Sequence, residues 1–204
     1  MLNLFSSEFL MQTVCFWTGF LLYLPGMIII SLFINEVNFK TNRQNIIDGW
    51  KRETFIYSKI GLIVCMAAVI AIMNLLAGFI MSNVVGVTLS ADALKMVGFS
   101  FVQAMVYLLF ALLLATFFRR SGVAIIVFFI YGLLLEFLFM WIAGKISPGL
   151  QHFMPLQVAD SLTPFPRLRD FYIGLPSETV MLLAAMAFGG LYAFLTVRKY
   201  KYDD

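Results

Sequence analysis

Long apolar runs recur along the chain, and they constrain its fold more than any motif does. A helix needs about 20 apolar residues to cross a hydrocarbon core of about 30 Å. Runs near this length, each with few charges, predict membrane-spanning helices at 10–34, 60–80, 97–118, 122–143 and 176–197. We therefore expect an all-α integral membrane protein, with a polytopic bundle of five transmembrane helices forming one domain over residues 1–204.

The composition supports this class. A hydrophobic fraction of 62% exceeds the roughly 45–50% apolar usage of soluble domains. A β-barrel is not expected, because its strands would appear as alternating segments of about 10 residues. The net charge of only +3 gives no support to nucleic-acid binding.

Lys and Arg are retained on the cytoplasmic side of a membrane, so their distribution over the loops predicts the orientation. One set of loops, made of 35–59, 119–120 and the C-terminus, holds ten of the 14 basic residues. The other set holds four, namely Lys95, Lys145, Arg167 and Arg169. This predicts a cytoplasmic C-terminus and, with an odd number of spans, an external N-terminus.

The chain contains no CxxC, HExxH or GxSxG motif and no glycine-rich phosphate loop. The single histidine, His152, falls in an external loop, where we expect it to be solvated. The sequence therefore predicts a non-catalytic chain, with no catalytic residues and no metal or cofactor of its own.

Residues 35–59 form the one long polar passage between two apolar runs. Ile46, Ile47 and Trp50 fall loosely on one side of a helix over this passage. A glycine in mid-helix costs about 1 kcal/mol relative to alanine, so Gly49 predicts a turn between a helix ending near Asp48 and a second helix. The resulting elbow is also typical of an ordinary amphipathic helix on the membrane surface.

A family resemblance appears in the order and spacing of residues in this passage. It resembles the first cytoplasmic loop of the membrane subunits of ATP-binding-cassette exporters of the O-antigen and drug-exporter type. The residues that carry the resemblance are Glu36, Thr41, Arg43, Ile46, Ile47, Gly49, Arg52, Phe55 and Lys59. The Arg119–Arg120 turn, Glu136 and a long external passage over 144–175 resemble the later half of that family.

The resemblance implies a role in coupling and a set of partners. Residues 41–48 would form a coupling helix on a separate ATPase subunit, present in two copies, which would bind the ATP and magnesium. A second permease subunit, identical or different, would complete a dimer in the bacterial cytoplasmic membrane, and Arg52 and Lys59 would lie near lipid phosphates. Short re-entrant helices within 144–175 would form an external gate.

One departure from the family concerns the start of the chain. Family members have six spans with both ends cytoplasmic, whereas this chain is expected to begin after the family's first span. Two alternative functions stay open: an ATPase-coupled scaffold that transmits force without transport, and an intramembrane lipid-modifying enzyme.

Polar and small residues within the spans give further candidates. A charge exposed at mid-membrane costs about 2.5–3.5 kcal/mol on insertion scales, so Glu136 is expected to face inward and to bond to a neighbouring helix or to Gln103. Ala185, Gly189 and Ala193 recur at four-residue intervals, a pattern that lets helix backbones approach closely. Packing within the subunit and a subunit interface are both compatible with this stripe.

Overall fold

The computed structural model describes residues 6–39, 52–147, 149–165 and 176–202, and this part of the chain is helical, without strands. Its long α-helices are α1 (Ser7–Leu21), α2 (Tyr23–Asn38), α3 (Arg52–Val85), α4 (Ala91–Phe117), α5 (Ser121–Ile130), α6 (Glu136–Ile146) and α8 (Glu178–Tyr202). The shorter elements are a π-helix (Tyr131–Leu135), a 3-10 helix (Leu150–Phe153) and α7 (Gln157–Asp160).

Five helical stretches are long and apolar enough to cross a membrane, which confirms the predicted number of spans. They are Ser7–Asn38, Thr54–Val85, Ala91–Phe117, Ser121–Ile146 and Glu178–Lys201. Most extend beyond the predicted bounds, because backbone hydrogen bonding continues past the apolar residues that defined each run. The 32 residues of the second stretch correspond to about 48 Å of helix. This helix must therefore tilt or project from a hydrocarbon core of about 30 Å.

The first span consists of two helices rather than the single predicted one. α1 ends at Leu21 and α2 begins at Tyr23, so the break lies at Leu22. Pro25 lies in the first turn of α2 and has no backbone N–H to donate to the preceding turn, which explains an interruption here. The break brings Tyr23 to the beginning of a new helix.

α4 lies at the centre of the bundle and packs against α1, α2, α3 and α8. The most apolar 18 residues of this helix are 61% buried inside the protein, whereas the corresponding stretches of the other four spans are 17% to 39% buried. The outer helices direct their remaining apolar side chains outward, as expected where lipid replaces water. Of the five spans, α4 therefore packs the largest share of its surface against other helices.

A chain of hydrogen bonds joins three of the helices at mid-bundle. Thr18 Oγ1 of α1 donates to Asn74 Oδ1 of α3 at 2.6 Å, and Asn74 Nδ2 donates to Ser100 Oγ of α4 at 2.5 Å. Polar side chains in an apolar bundle stabilise helix association by such bonds, typically by about 0.6 kcal/mol and up to about 2 kcal/mol each. This chain fixes the relative rotation of α1, α3 and α4.

The small-residue stripe on α8 packs inside the chain. Ala185 is fully buried, and a Cβ at Gly189 would lie 3.7 Å from Leu109 and 3.8 Å from Val106 of α4. Ala193 is half-buried against the same core. Contact with α4 therefore accounts for the stripe.

Gly26 gives a stability test of the α2–α5 contact. A Cβ at this position would lie 2.5 Å from Cε1 of Phe128, whose ring is fully buried. Overpacking of this kind costs about 1–3 kcal/mol, so we expect Gly26→Ala to lower the thermal unfolding midpoint of the purified protein. Gly61→Ala is the matched control, since no atom lies within 4 Å of a Cβ there. An unchanged midpoint for Gly26→Ala would contradict the contact.

Candidate functional site

Only the two ends of the predicted coupling elbow lie within the described residues. Thr41, Arg43, Ile46, Ile47 and Gly49 lie outside them, as does the predicted turn between two helices. α2 continues to Asn38, and Arg52 is the first residue of α3. Between these ends, Lys59 Nζ donates to Glu36 Oε1 at 2.5 Å, so an ion pair connects the helices on either side of the elbow.

Glu136 lies at the start of α6, directly after the π-helix, and its side chain is buried. The backbone N–H groups of Leu156 and Gln157 both donate to Glu136 Oε1, each at 2.6 Å. These groups belong to the beginning of α7, where a helix leaves its backbone N–H groups without internal partners and favours a negative charge. Glu136 thus faces inward, and it holds the segment that follows α6.

The π-helix before Glu136 lies against Tyr23. A side chain at Gly132 would collide with the Tyr23 hydroxyl, so glycine permits this close approach. The Tyr23 ring stacks on Phe129 at 5.1 Å between ring centres and meets Tyr107 edge-on at 5.7 Å. π-helical turns inside α-helices are frequent at functional sites, and this one sets the position of both Tyr23 and Glu136.

Asp160 lies at the other end of α7 and was not identified from the sequence. Gln103 Nε2 donates to its Oδ1 at 2.9 Å, and the Tyr107 hydroxyl lies 2.8 and 2.9 Å from its two oxygens. Thr163 Oγ1 in turn donates to Gln103 Oε1 at 2.9 Å. Gln103 and Glu136 therefore have different partners, although both hold the same short segment.

One signal in the sequence could have pointed to Asp160. It is the acidic residue within an otherwise uncharged stretch, 149–165, which contains several large apolar side chains. A loop of this composition packs on protein rather than extending into solvent, so its acidic group must find buried donors. Which donors it finds depends on the tertiary fold.

Burial raises the pKa of the Asp160 carboxyl to about 6, while the hydrogen bonds from Gln103 and Tyr107 act in the opposite direction. The ordinary value is 3.8. The carboxyl is therefore mostly ionised at neutral pH but takes up a proton in mildly acidic solution.

His152 is buried, and our expectation of a solvated side chain is wrong. Its Nε2 lies 3.3 Å from the Gln151 side-chain nitrogen, and its Nδ1 has no hydrogen-bond partner among the described residues. Burial lowers the pKa of the imidazole. Within the part of the chain that the structure describes, no group of three or more His, Cys, Asp or Glu side chains could hold a metal ion.

A cavity of about 210 Å³ adjoins this network. Its lining includes the Asp160 carboxylate, the Gln103 amide and the Tyr107 hydroxyl, together with aromatic side chains from α1 and from the segment after α7. α1, α4, the π-helix and 157–165 all contribute to the wall. Such a concave, mostly apolar site with a few convergent polar groups is typical of ligand-binding sites.

Comparison with protein-family models, with curated proteins and with solved structures found no match. The five apolar helices indicate a multi-pass membrane protein.

The bond between Glu136 and α7 predicts the local stability of 149–165. Glu136→Leu would leave two buried backbone N–H groups without an acceptor, at a cost of about 1–3 kcal/mol each. We expect at least a tenfold faster hydrogen–deuterium exchange of the amides of Leu156 and Gln157. Glu136→Gln keeps an acceptor oxygen, so its exchange rates at these amides should lie between those of Glu136→Leu and the wild type. Unchanged exchange in Glu136→Leu would contradict the assignment.

Asp160 predicts a pH dependence of stability. Its pKa is higher in the folded protein, about 6, than its ordinary value of 3.8, so the folded state binds more protons between these values. The contribution of Asp160 to the free energy of unfolding is therefore largest below about pH 4. It falls by roughly 1–3 kcal/mol as the pH rises to about 6. Thermal unfolding midpoints measured across this pH range check this prediction. In Asp160→Asn the midpoint should decline less between pH 4 and 6 than in the wild type, and identical pH profiles of the two proteins would contradict the prediction.

Proposed function

We propose that this chain is the transmembrane subunit of an ATP-driven exporter of the ATP-binding-cassette type. It would form half of a translocation pathway in a bacterial cytoplasmic membrane and would receive the movement of a separate ATPase through residues 41–48. The proposal starts from the order and spacing of residues in the sequence between Glu36 and Lys59. The structural observation that carries it furthest is the ion pair between these two residues.

The ion pair supports coupling because it connects the two helices that flank the elbow. A segment that transmits force must be attached stiffly to the spans, or its movement is lost in a flexible loop. The exposed fractions of the Lys59 and Glu36 side chains are 15% and 34%, so solvent screens this pair less than an exposed one. Lys59 Nζ also lies 5.2 Å from the centre of the Phe55 ring.

An aromatic cluster of Phe33, Phe55 and Tyr200 reinforces the same end of the bundle. Phe55 of α3 stacks on Tyr200 of α8 at 5.6 Å between ring centres, and Phe33 of α2 lies 5.8 Å from Phe55. Aromatic pairs of this kind contribute about 0.5–1.5 kcal/mol beyond their buried area. Movement of the elbow would therefore reach α2, α3 and α8 together.

At the opposite end, the segment over 149–165 would act as the external gate. Its helix α7 contacts Gln103 and Tyr107, which lie near the middle of the 27-residue helix α4. A segment that enters from outside and reaches this depth would be re-entrant. In such a transporter, the hydrogen bonds that Glu136 and Asp160 accept would keep it in place until the spans move.

A lipid-modifying membrane enzyme is the second candidate, and one observation favours it. Glu136 and Asp160 lie at the two ends of α7, and a pair of carboxyl groups can serve as general acid and base. However, Glu136 Oε1 is occupied by two backbone N–H groups, which suits a structural role. A purified chain that forms product without ATP, and loses this activity in Glu136→Gln, would favour the enzyme.

The coupling proposal is tested by co-purification with the ABC ATPase encoded beside the chain. Charged side chains in an apolar docking surface disrupt the interface, so we expect Ile46→Asp with Ile47→Asp to reduce ATPase recovery at least tenfold. Asn83→Asp, at the far end of α3, is the control for an added charge. If the wild type recovers no ATPase, or if the double variant recovers it normally, the proposal is wrong.

The ion pair has its own test in the assembled complex. We expect Glu36→Lys to lower the ATPase activity of the membrane-reconstituted complex several-fold, because two like charges then separate the flanking helices. The exchange of both partners, Glu36→Lys with Lys59→Glu, should restore most of it. Asp92→Lys, which breaks the exposed pair with Lys95, is the matched control. Equal loss in the single and double variants would contradict a role for the pair.

A further inference from the structure

Five aromatic residues from different parts of the chain line the cavity beside α7. Phe16 of α1 meets Phe20 at 5.3 Å and Phe165 at 5.1 Å between ring centres, both edge-on. Tyr23 and Tyr107 form the next part of the lining and also meet edge-on. The rings come from α1, α2, α4 and the segment after α7, so they are assembled by the tertiary fold.

The same cavity contains one carboxylate without a basic partner. Asp160 lines it, and among the described residues its hydrogen bonds come from the neutral groups of Gln103 and Tyr107. No Lys, Arg or His side chain of the described residues forms an ion pair with it. A buried charge is costly unless a charge of opposite sign compensates it. The cavity thus offers a negative charge that a ligand could neutralise.

We propose that this cavity binds a small organic cation, of the methylated-ammonium class. Aromatic faces attract a cation through the negative face of the ring, and recognition of quaternary ammonium groups by clustered rings is a known use of this interaction. The Asp160 carboxylate supplies the opposite charge at the polar side of the cavity. Both features select for a cation that is soft and poorly hydrated.

The dimensions and donor set limit the ligand further. A volume of about 210 Å³ is below the roughly 300–1,000 Å³ of pockets for drug-sized molecules, so the ligand, or the part of it inside, is small. A divalent cation such as Ca²⁺ takes six to eight oxygen ligands, including carboxylates, whereas Asp160 is the one carboxylate that the described residues contribute to the lining. The phenylalanine rings of the lining provide no oxygen ligand for such an ion.

Phe20 and Leu133 of the lining are 53% and 52% exposed, so the cavity lies at the surface of the bundle. The inference rests on the cavity alone and does not depend on coupling to an ATPase.

The test compares two probes of the same shape that differ in charge. Choline and its neutral analogue 3,3-dimethylbutan-1-ol are titrated calorimetrically into the purified full chain in lipid nanodiscs. We expect saturable binding of choline and at least tenfold weaker binding of the neutral analogue. The ionic strength is held constant with sodium chloride. Equal binding of both probes, or no binding of choline, would overturn the proposal.

Two variants locate the binding. Asp160→Asn should weaken choline binding about tenfold or more, the effect of losing a charged partner, and should leave the weak binding of the neutral analogue unchanged. Thermal unfolding shows whether the variant is folded.

A second variant tests the same site even if Asp160→Asn does not fold. Phe20→Leu keeps an apolar side chain but removes one ring, and it should weaken choline binding roughly two- to fivefold. Phe194→Leu is the matched control, since Phe194 is 59% exposed on α8 and does not line the cavity. Equal affinities of the two Phe→Leu variants, together with normal binding by folded Asp160→Asn, would place choline elsewhere and overturn the proposal.

Discussion

Glu136 Oε1 accepts hydrogen bonds from the backbone N–H groups of Leu156 and Gln157 inside an apolar bundle. Leaving one of these N–H groups without an acceptor would cost about 1–3 kcal/mol. The bond determines where the chain goes after α6, because α7 can form only where its first N–H groups find an acceptor. The position of Asp160, the contact with Gln103 and one wall of the cavity all follow from it.

α2 connects the cavity to the other end of the bundle. It begins with Tyr23 in the cavity lining and carries Glu36 near its end. The 13 residue steps from Tyr23 to Glu36 correspond to about 20 Å of helix. The cavity and the ion pair therefore lie along one helix, and α1 carries Phe16 and Phe20 of the same lining.

The cavity and the elbow also differ in what surrounds their charges. Lys59 neutralises Glu36 near the end of the bundle, where solvent reaches part of both side chains. Asp160 has only neutral donors in a less accessible place, so its charge is left uncompensated within the described residues. The first site is a compensated ion pair, and the second is a carboxylate whose charge the described residues do not compensate.

The helical class and the number of apolar spans could be predicted from the sequence alone. Apolar runs identified the five spans, and the inward position of Glu136 followed from the cost of exposing a charge to lipid, because both properties are local. The partners of Glu136 and Gln103, the burial of His152, the break at Leu22 and the hydrogen bonds of Asp160 could not be predicted in this way. These depend on contacts between residues far apart in the chain, such as Asp160 with Gln103 and Tyr107, and periodicity carries no information about which distant donor a buried acceptor will meet.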